Sequence, residues 1–130
     1  MNIEELQKFC KSLPGVTEDV KWGNDLCFSI GGKMFCVTGL EHPLKVSLKV
    51  PDEEFEGLCA TPGIMIAPYV GRYKWVLVED VDVWNKKQWE HFIRQSYELI
   101  KAQLPKKVLN ALTNKGAVKA EKQATKTKKK

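Results

Sequence analysis

The chain has 130 residues, 43% of them apolar and four of them tryptophan, enough for one self-supporting core. No apolar run approaches the ~20 residues that a membrane-spanning helix needs, which excludes that class. The formal net charge of +5 is unevenly placed: residues 106–130 hold nine lysines against Glu121 alone, a net +8, whereas residues 1–105 carry twelve basic and fifteen acidic side chains, a net −3.

Asn2 followed by Glu5 has the form of a capping box, so a helix is predicted to start at once. Ile3, Leu6, Phe9, Cys10 and Leu13 recur at helical spacing and form its apolar stripe, and Pro14-Gly15 stops it. The opening residues, Met1-Asn2-Ile3-Glu4-Glu5, lack the basic and apolar stretches of a signal peptide, and the expected location is cytoplasmic. Val20-Lys21-Trp22-Gly23 reads as a short strand, turned by Gly23-Asn24-Asp25.

The strongest strand signal follows. Leu26 to Ile30 and Lys33 to Thr38 alternate on either side of Gly31-Gly32, which reads as a hairpin with a two-residue primed turn. That turn predicts Ile30 opposite Lys33, Phe28 opposite Phe35 and Leu26 opposite Val37. Leu26, Phe28, Phe35 and Val37 then face the core, and Cys27, Ser29, Met34, Cys36 and Thr38 face outward. The same register sets Cys27 across from Cys36. Lys45-Val46-Ser47-Leu48-Lys49 alternates as a third strand, with Val46 and Leu48 inward.

Pro51-Asp52-Glu53-Glu54 opens a second, short helix, with proline and acids suited to its first turn. Phe55, Leu58 and Cys59 supply its apolar side, and Thr61-Pro62-Gly63 ends it. Ile64 to Tyr73 is read as a brief strand and a loop, and Lys74 to Glu79 as the last strand. The final helix is capped by Asn85 with Gln88, and Trp84 and Trp89 form a hydrophobic staple. Trp89, Phe92, Ile93, Tyr97, Ile100 and Leu104 are its buried stripe, and Pro105 closes it. The order predicts an α+β two-layer sandwich, α-β(3+)-α-β(2)-α, with helices packed on one face of an antiparallel sheet. One domain is expected over 1–105, and a lysine-rich, disordered tail over 106–130; a helix over Val108 to Thr113 is compatible with the pattern.

The ordered set Leu13-Pro14-Gly15, Trp22-Gly23, Gly32-Lys33-Met34-Phe35, Val46-Ser47-Leu48-Lys49, Trp75 and Ser96-Tyr97-Glu98-Leu99 resembles the MmcQ/YjbR family from about Ile3 to Lys107. The resemblance implies a fold like that of type III secretion chaperones and a DNA-binding role, with no defined catalytic residue and no cofactor. The lysine tail lies outside the family pattern.

Binding to nucleic acid needs cations for phosphates together with groove contacts or aromatic stacking. The candidate set is Arg72-Tyr73-Lys74-Trp75, extended by Lys33 at the hairpin tip and by Lys45 and Lys49 on the third strand. The lysines and Arg72 would meet phosphates, and Tyr73 and Trp75 would stack. Trp75, alternating with Val76, is alternatively a core residue, and the lysines are then a solvated face. Lys126, Lys128, Lys129 and Lys130 in the tail add attraction without sequence preference.

Other chemistry is poorly supplied. The four cysteines, Cys10, Cys27, Cys36 and Cys59, form no Cys-x-x-Cys pair, and buried reduced thiols are expected. His42 and His91 are isolated, and no Ser-His-Asp spacing or phosphate loop occurs. No metal, cofactor, small-molecule substrate or membrane is expected as a partner, and the chain is read as non-catalytic. The alternative to nucleic acid is a chaperone-like module that docks a protein or a second copy of itself through a lightly charged sheet face.

Overall fold

The computed structural model describes residues 1–111 except positions 22, 42 and 69 and the side chain at position 72. The first helix, α1 (Ile3–Ser12), carries the predicted reciprocal cap: the Asn2 side-chain Oδ1 accepts from the Glu5 backbone amide, and the Glu5 carboxylate accepts from the Asn2 backbone amide. Four strands follow, β1 (Val16–Lys21), β2 (Asp25–Ile30), β3 (Lys33–Gly39) and β4 (Val46–Lys49). Then come α2 (Asp52–Cys59), β5 (Ile64–Ile66), a 3₁₀ turn at Gly71–Tyr73, β6 (Trp75–Val78), a second 3₁₀ turn at Val81–Val83, and α3 (Lys86–Lys101). The six strands form one antiparallel sheet in the order β1-β2-β3-β4-β6-β5, with the helices packed on one face. The predicted α+β architecture and element order are observed. The first strand is longer than Val20 to Gly23 and starts at Val16.

The Gly31-Gly32 turn pairs Ile30 with Lys33 as expected, with both glycines at positive φ of 59° and 86°. The register holds through Ser29 and Met34 and fails beyond that pair. Ser29 pairs with Met34, but Phe28 pairs with Cys36, Cys27 with Val37 and Leu26 with Thr38. Phe35 is the extra residue of a bulge, so it and Cys36 both point toward the helices. Cys36 and Thr38 are therefore inward, Val37 is outward, and Cys27 stands opposite Val37 instead of Cys36.

Beside the bulge, a side chain of α3 enters the sheet between β3 and β4. Ser96 of α3 is fully buried, and its hydroxyl donates to the Phe35 carbonyl while accepting from the Lys49 amide at 2.9 Å. It occupies the place of a ladder bond between β3 and β4. The Phe35 ring packs edge-on against Tyr97 at 5.4 Å between centroids, and the Tyr97 hydroxyl donates to the Pro14 carbonyl. Burial pushes the Tyr97 phenol above its ordinary pKa, with the Glu98 charge adding to the shift.

The start of α3 follows its sequence signals. The Asn85–Gln88 box is complete, and Trp84 lies edge-on to Trp89 at 4.8 Å and stacks on Phe92 at 4.1 Å. Trp89 is fully buried and donates its indole N–H to the Val81 carbonyl at 2.8 Å. At the other end of the domain, helix resumes over 106–111, past Pro105. Val108 and Leu109 pack against the core there, so ordered structure continues beyond the boundary drawn from sequence. Residues 112–130, including Lys126, Lys128, Lys129 and Lys130, lie outside the described residues.

Candidate nucleic-acid interface

The sheet face turned away from the helices presents Val37, Ser47, Leu77 and Met65 as one cross-strand row, with Lys49 beside Trp75 in the next. The segment after β5 folds back over this face. It is held by the Ala67 amide, which donates to the Trp75 carbonyl at 3.1 Å, and by turn bonds through Val70, Tyr73 and Lys74. Two adjoining depressions result. A groove of about 570 Å³ is lined by Met34, Val37, Ser47, Trp75 and Asp25 from the strands and by Pro68 and Val70 from the loop. A cleft of about 520 Å³ near the hairpin tip is lined by Lys21, Gly32, Lys33, Lys49, Tyr73, Ile100 and Gln103, and again by Met34 and Trp75. Those two shared residues place the depressions side by side.

Four of the seven body candidates, Lys33, Lys49, Tyr73 and Trp75, thus converge at one end of the sheet. Antiparallel geometry explains it, because β3 begins, β4 ends and β6 begins at that end. Lys49 is oriented by donating its ammonium to the Tyr73 carbonyl. Tyr73 is 52% exposed, whereas Trp75 is 7% exposed and contributes a wall to the cleft instead of a free stacking face. Lys21, absent from the sequence-based set, joins the cleft from the end of β1; its position beside Trp22 was the only sequence signal for it.

The other candidates separate. Lys45 lies at the opposite end of β4, where its ammonium is 3.8 Å from the Glu79 carboxylate. Lys74 adopts a left-handed backbone, φ 66°, which turns its side chain toward α2, where the ammonium lies 4.9 Å from the centre of the Phe55 ring. The basic–aromatic run from Arg72 to Trp75 is thereby divided between the two faces of the sheet; the Arg72 side chain lies outside the described residues. No carboxylate among the described residues lines the cleft, and the one acid of the adjoining groove is Asp25.

The thiols are placed for packing. Cys10, Cys27 and Cys36 are buried and Cys59 is half-buried, all as free cysteines. Hydrogen bonding with the Cys10 thiol and complete burial hold the Cys36 thiol well above its ordinary pKa. Among the described residues no three His, Cys, Asp or Glu side chains gather as a metal site would require. No described helix is long and apolar enough to cross a membrane.

Known proteins bear on this geometry at the level of family. Among solved structures, the Deinococcus radiodurans protein DR2400, described by the domain name DUF419, is 26% identical, with 86% of this chain and 88% of that one aligned at a TM-score of 0.78. A Pseudomonas syringae protein is 19% identical, with 77% of this chain and 99% of that one covered at a TM-score of 0.65, a likeness of fold. No functionally curated protein matches the chain. The family model described as YjbR matches residues 11–99, which span β1 to β6 and nearly all of α3. The chain belongs to the YjbR family.

Proposed function

We propose that this YjbR-family chain is a non-catalytic, cytoplasmic nucleic-acid-binding protein whose body binds through the cleft at the hairpin tip. The observation that carries this reading is the gathering of Lys21, Lys33 and Lys49 around one depression that no carboxylate among the described residues lines, on a body whose net charge is −3. A local positive field on an acidic protein attracts phosphates to that place and away from the rest of the surface. Tyr73 stands half exposed at the rim, where a bound nucleic acid would meet it. Helix 106–111 lies against the hairpin tip, where a side chain at Gly31 would meet Val108 at 2.9 Å. Residues 112–130 follow that helix in sequence, and their lysines add attraction for polyanions without sequence preference.

The test is to titrate the full-length, isotope-labelled protein with a short oligonucleotide and follow amide resonances. This reading expects the shifts to concentrate at Lys21, Lys33, Lys49 and Tyr73. Shifts confined to residues 112–130 contradict it for the folded body.

A second reading, a protein-interaction module, is favoured by a different observation. Edge strand β5 presents Met65 and Ile66 at 41% and 52% exposure, with one backbone edge unpaired in the sheet. An extended peptide adds to such an edge by main-chain hydrogen bonds. Concentration-dependent self-association abolished in Met65→Lys would favour that reading.

A further inference from the structure

The cleft explains contact with phosphates, but the groove beside it has a different character. Its walls are Met34, Val37, Pro68, Val70 and the exposed sliver of Trp75, an apolar slot between the sheet and the loop over it. At about 570 Å³ it falls among ligand pockets, which run from about 300 to 1,000 Å³. Two polar residues line it, Ser47 and Asp25. The carboxylate repels a phosphate, so an anion settles at the lysine end and the Asp25 end takes a hydrogen-bond donor.

We infer that the groove receives an unstacked base of a single-stranded nucleic acid while Lys33 and Lys49 hold the adjoining phosphates. This deepens the proposed function and rests on it. A nucleotide unit has the matching layout: a flat ring with apolar faces, an edge of donors and acceptors, and an anionic group at the far side. The exocyclic amines of cytosine and adenine are donors for Asp25, whereas thymine has none there. A duplex keeps its bases stacked and fills only the cleft. The occupant is a strand, because Lys33 and Lys49 can each meet a phosphate and a mononucleotide brings only one.

The experiment measures anisotropy with the full chain and four probes at one salt concentration: a labelled cytosine-rich single strand, its duplex, the same backbone without bases, and free cytidine monophosphate as competitor. The single strand should bind about tenfold or more tighter than the base-free backbone, as stacking of even one base provides. Val37→Trp, which fills the slot from the sheet side, should erase that advantage and leave duplex binding unchanged. Val70→Trp does the same from the loop side and stands in if the first variant melts early. Lys49→Gln should weaken strand, duplex and base-free backbone together.

Equal binding of the strand with and without bases, or strand affinity untouched by both tryptophan variants, overturns base insertion while leaving the nucleic-acid reading in place. Competition by free cytidine monophosphate as effective as that by the strand overturns the choice of a strand as occupant. Absence of binding to every probe overturns the nucleic-acid reading itself, and base insertion with it.

Discussion

Ser96 and Phe35, 61 residues apart in sequence, meet in the core where the Ser96 hydroxyl donates to the Phe35 carbonyl. The same oxygen accepts from the Lys49 amide, so one side chain satisfies two backbone groups that a regular ladder would have joined to each other. The bulge on β3 lies at this insertion, and the inward turn of Cys36 and the outward turn of Val37 follow from the bulge. The groove depends on this frame, because Val37 joins Met34 on its wall only with the bulge in place.

Ser96→Ala should therefore cost about 1–3 kcal/mol, the usual range when a buried polar group loses its partner. In urea the midpoint should fall with an unchanged slope. Hydrogen exchange at the Lys49 amide should accelerate relative to amides elsewhere in β4. A variant as stable as the parent would show that water or a direct strand bond replaces the hydroxyl.

The two turn glycines are expected to differ. Both have positive φ, but a methyl at Gly32 meets nothing within 4 Å, while one at Gly31 would lie 2.7 Å from a Leu104 methyl and 2.9 Å from a Val108 methyl. Gly32→Ala should cost about 1 kcal/mol from backbone strain alone. Gly31→Ala should cost more, by roughly 1–3 kcal/mol of crowding. Paired thermal melts check this, and the difference should shrink in Val108→Ala if helix 106–111 holds the tip.

Acid should weaken the link between α1 and β1. The Glu18 carboxyl is held below its ordinary pKa first by a hydrogen bond from Gln7 at 2.6 Å and then by Lys11, whose ammonium is 3.3 Å away. A lowered folded-state pKa contributes stability above the ordinary glutamate value, and that contribution disappears as pH falls through the folded-state value. Glu18→Gln should be less stable than the parent by up to about 1 kcal/mol at neutral pH. The two should converge in acid, below the usual glutamate range. Denaturation at stepped pH reads the convergence; a constant gap would mean that the charge is irrelevant.

Thiol reactivity should follow burial. Cys59, the half-buried cysteine, should react first with an aromatic disulfide reagent. Cys10 and Cys36 should react only at the rate of unfolding, and mass mapping of the labelled cysteines distinguishes the two classes.

Legibility from the sequence tracked the range of the interaction. The Asn2–Glu5 and Asn85–Gln88 boxes, the Trp84–Trp89 staple and the Gly31-Gly32 turn act within a few residues, and each appears as predicted. Register beyond the Ser29–Met34 pair did not survive, because Phe35 bulges where it meets Ser96 and Tyr97 of a distant helix, and alternation along β3 carries no mark of that contact. The grouping of Lys33 and Lys49 was readable from strand order. The departure of Lys74 and Lys45 from that group was not: one depends on a single left-handed residue, the other on Glu79 arriving from β6. Val108 and Leu109 look too sparse for a core until the hairpin tip is seen beside them.

Whether the folded body, and not only the lysine-rich segment, binds nucleic acid is tested most directly by salt dependence. Anisotropy of a labelled single strand would be followed over a salt series for the full chain, for Lys33→Gln with Lys49→Gln, and for Lys126, Lys128, Lys129 and Lys130 all changed to Gln. Every phosphate that a substitution leaves without its lysine should reduce the slope of log affinity against log salt by about 0.7. Binding through the cleft predicts a slope shallower by about 1.4 and weaker binding in the cleft variant, with measurable binding kept in the tail variant. A cleft variant indistinguishable from the parent, beside a tail variant that no longer binds, would contradict it.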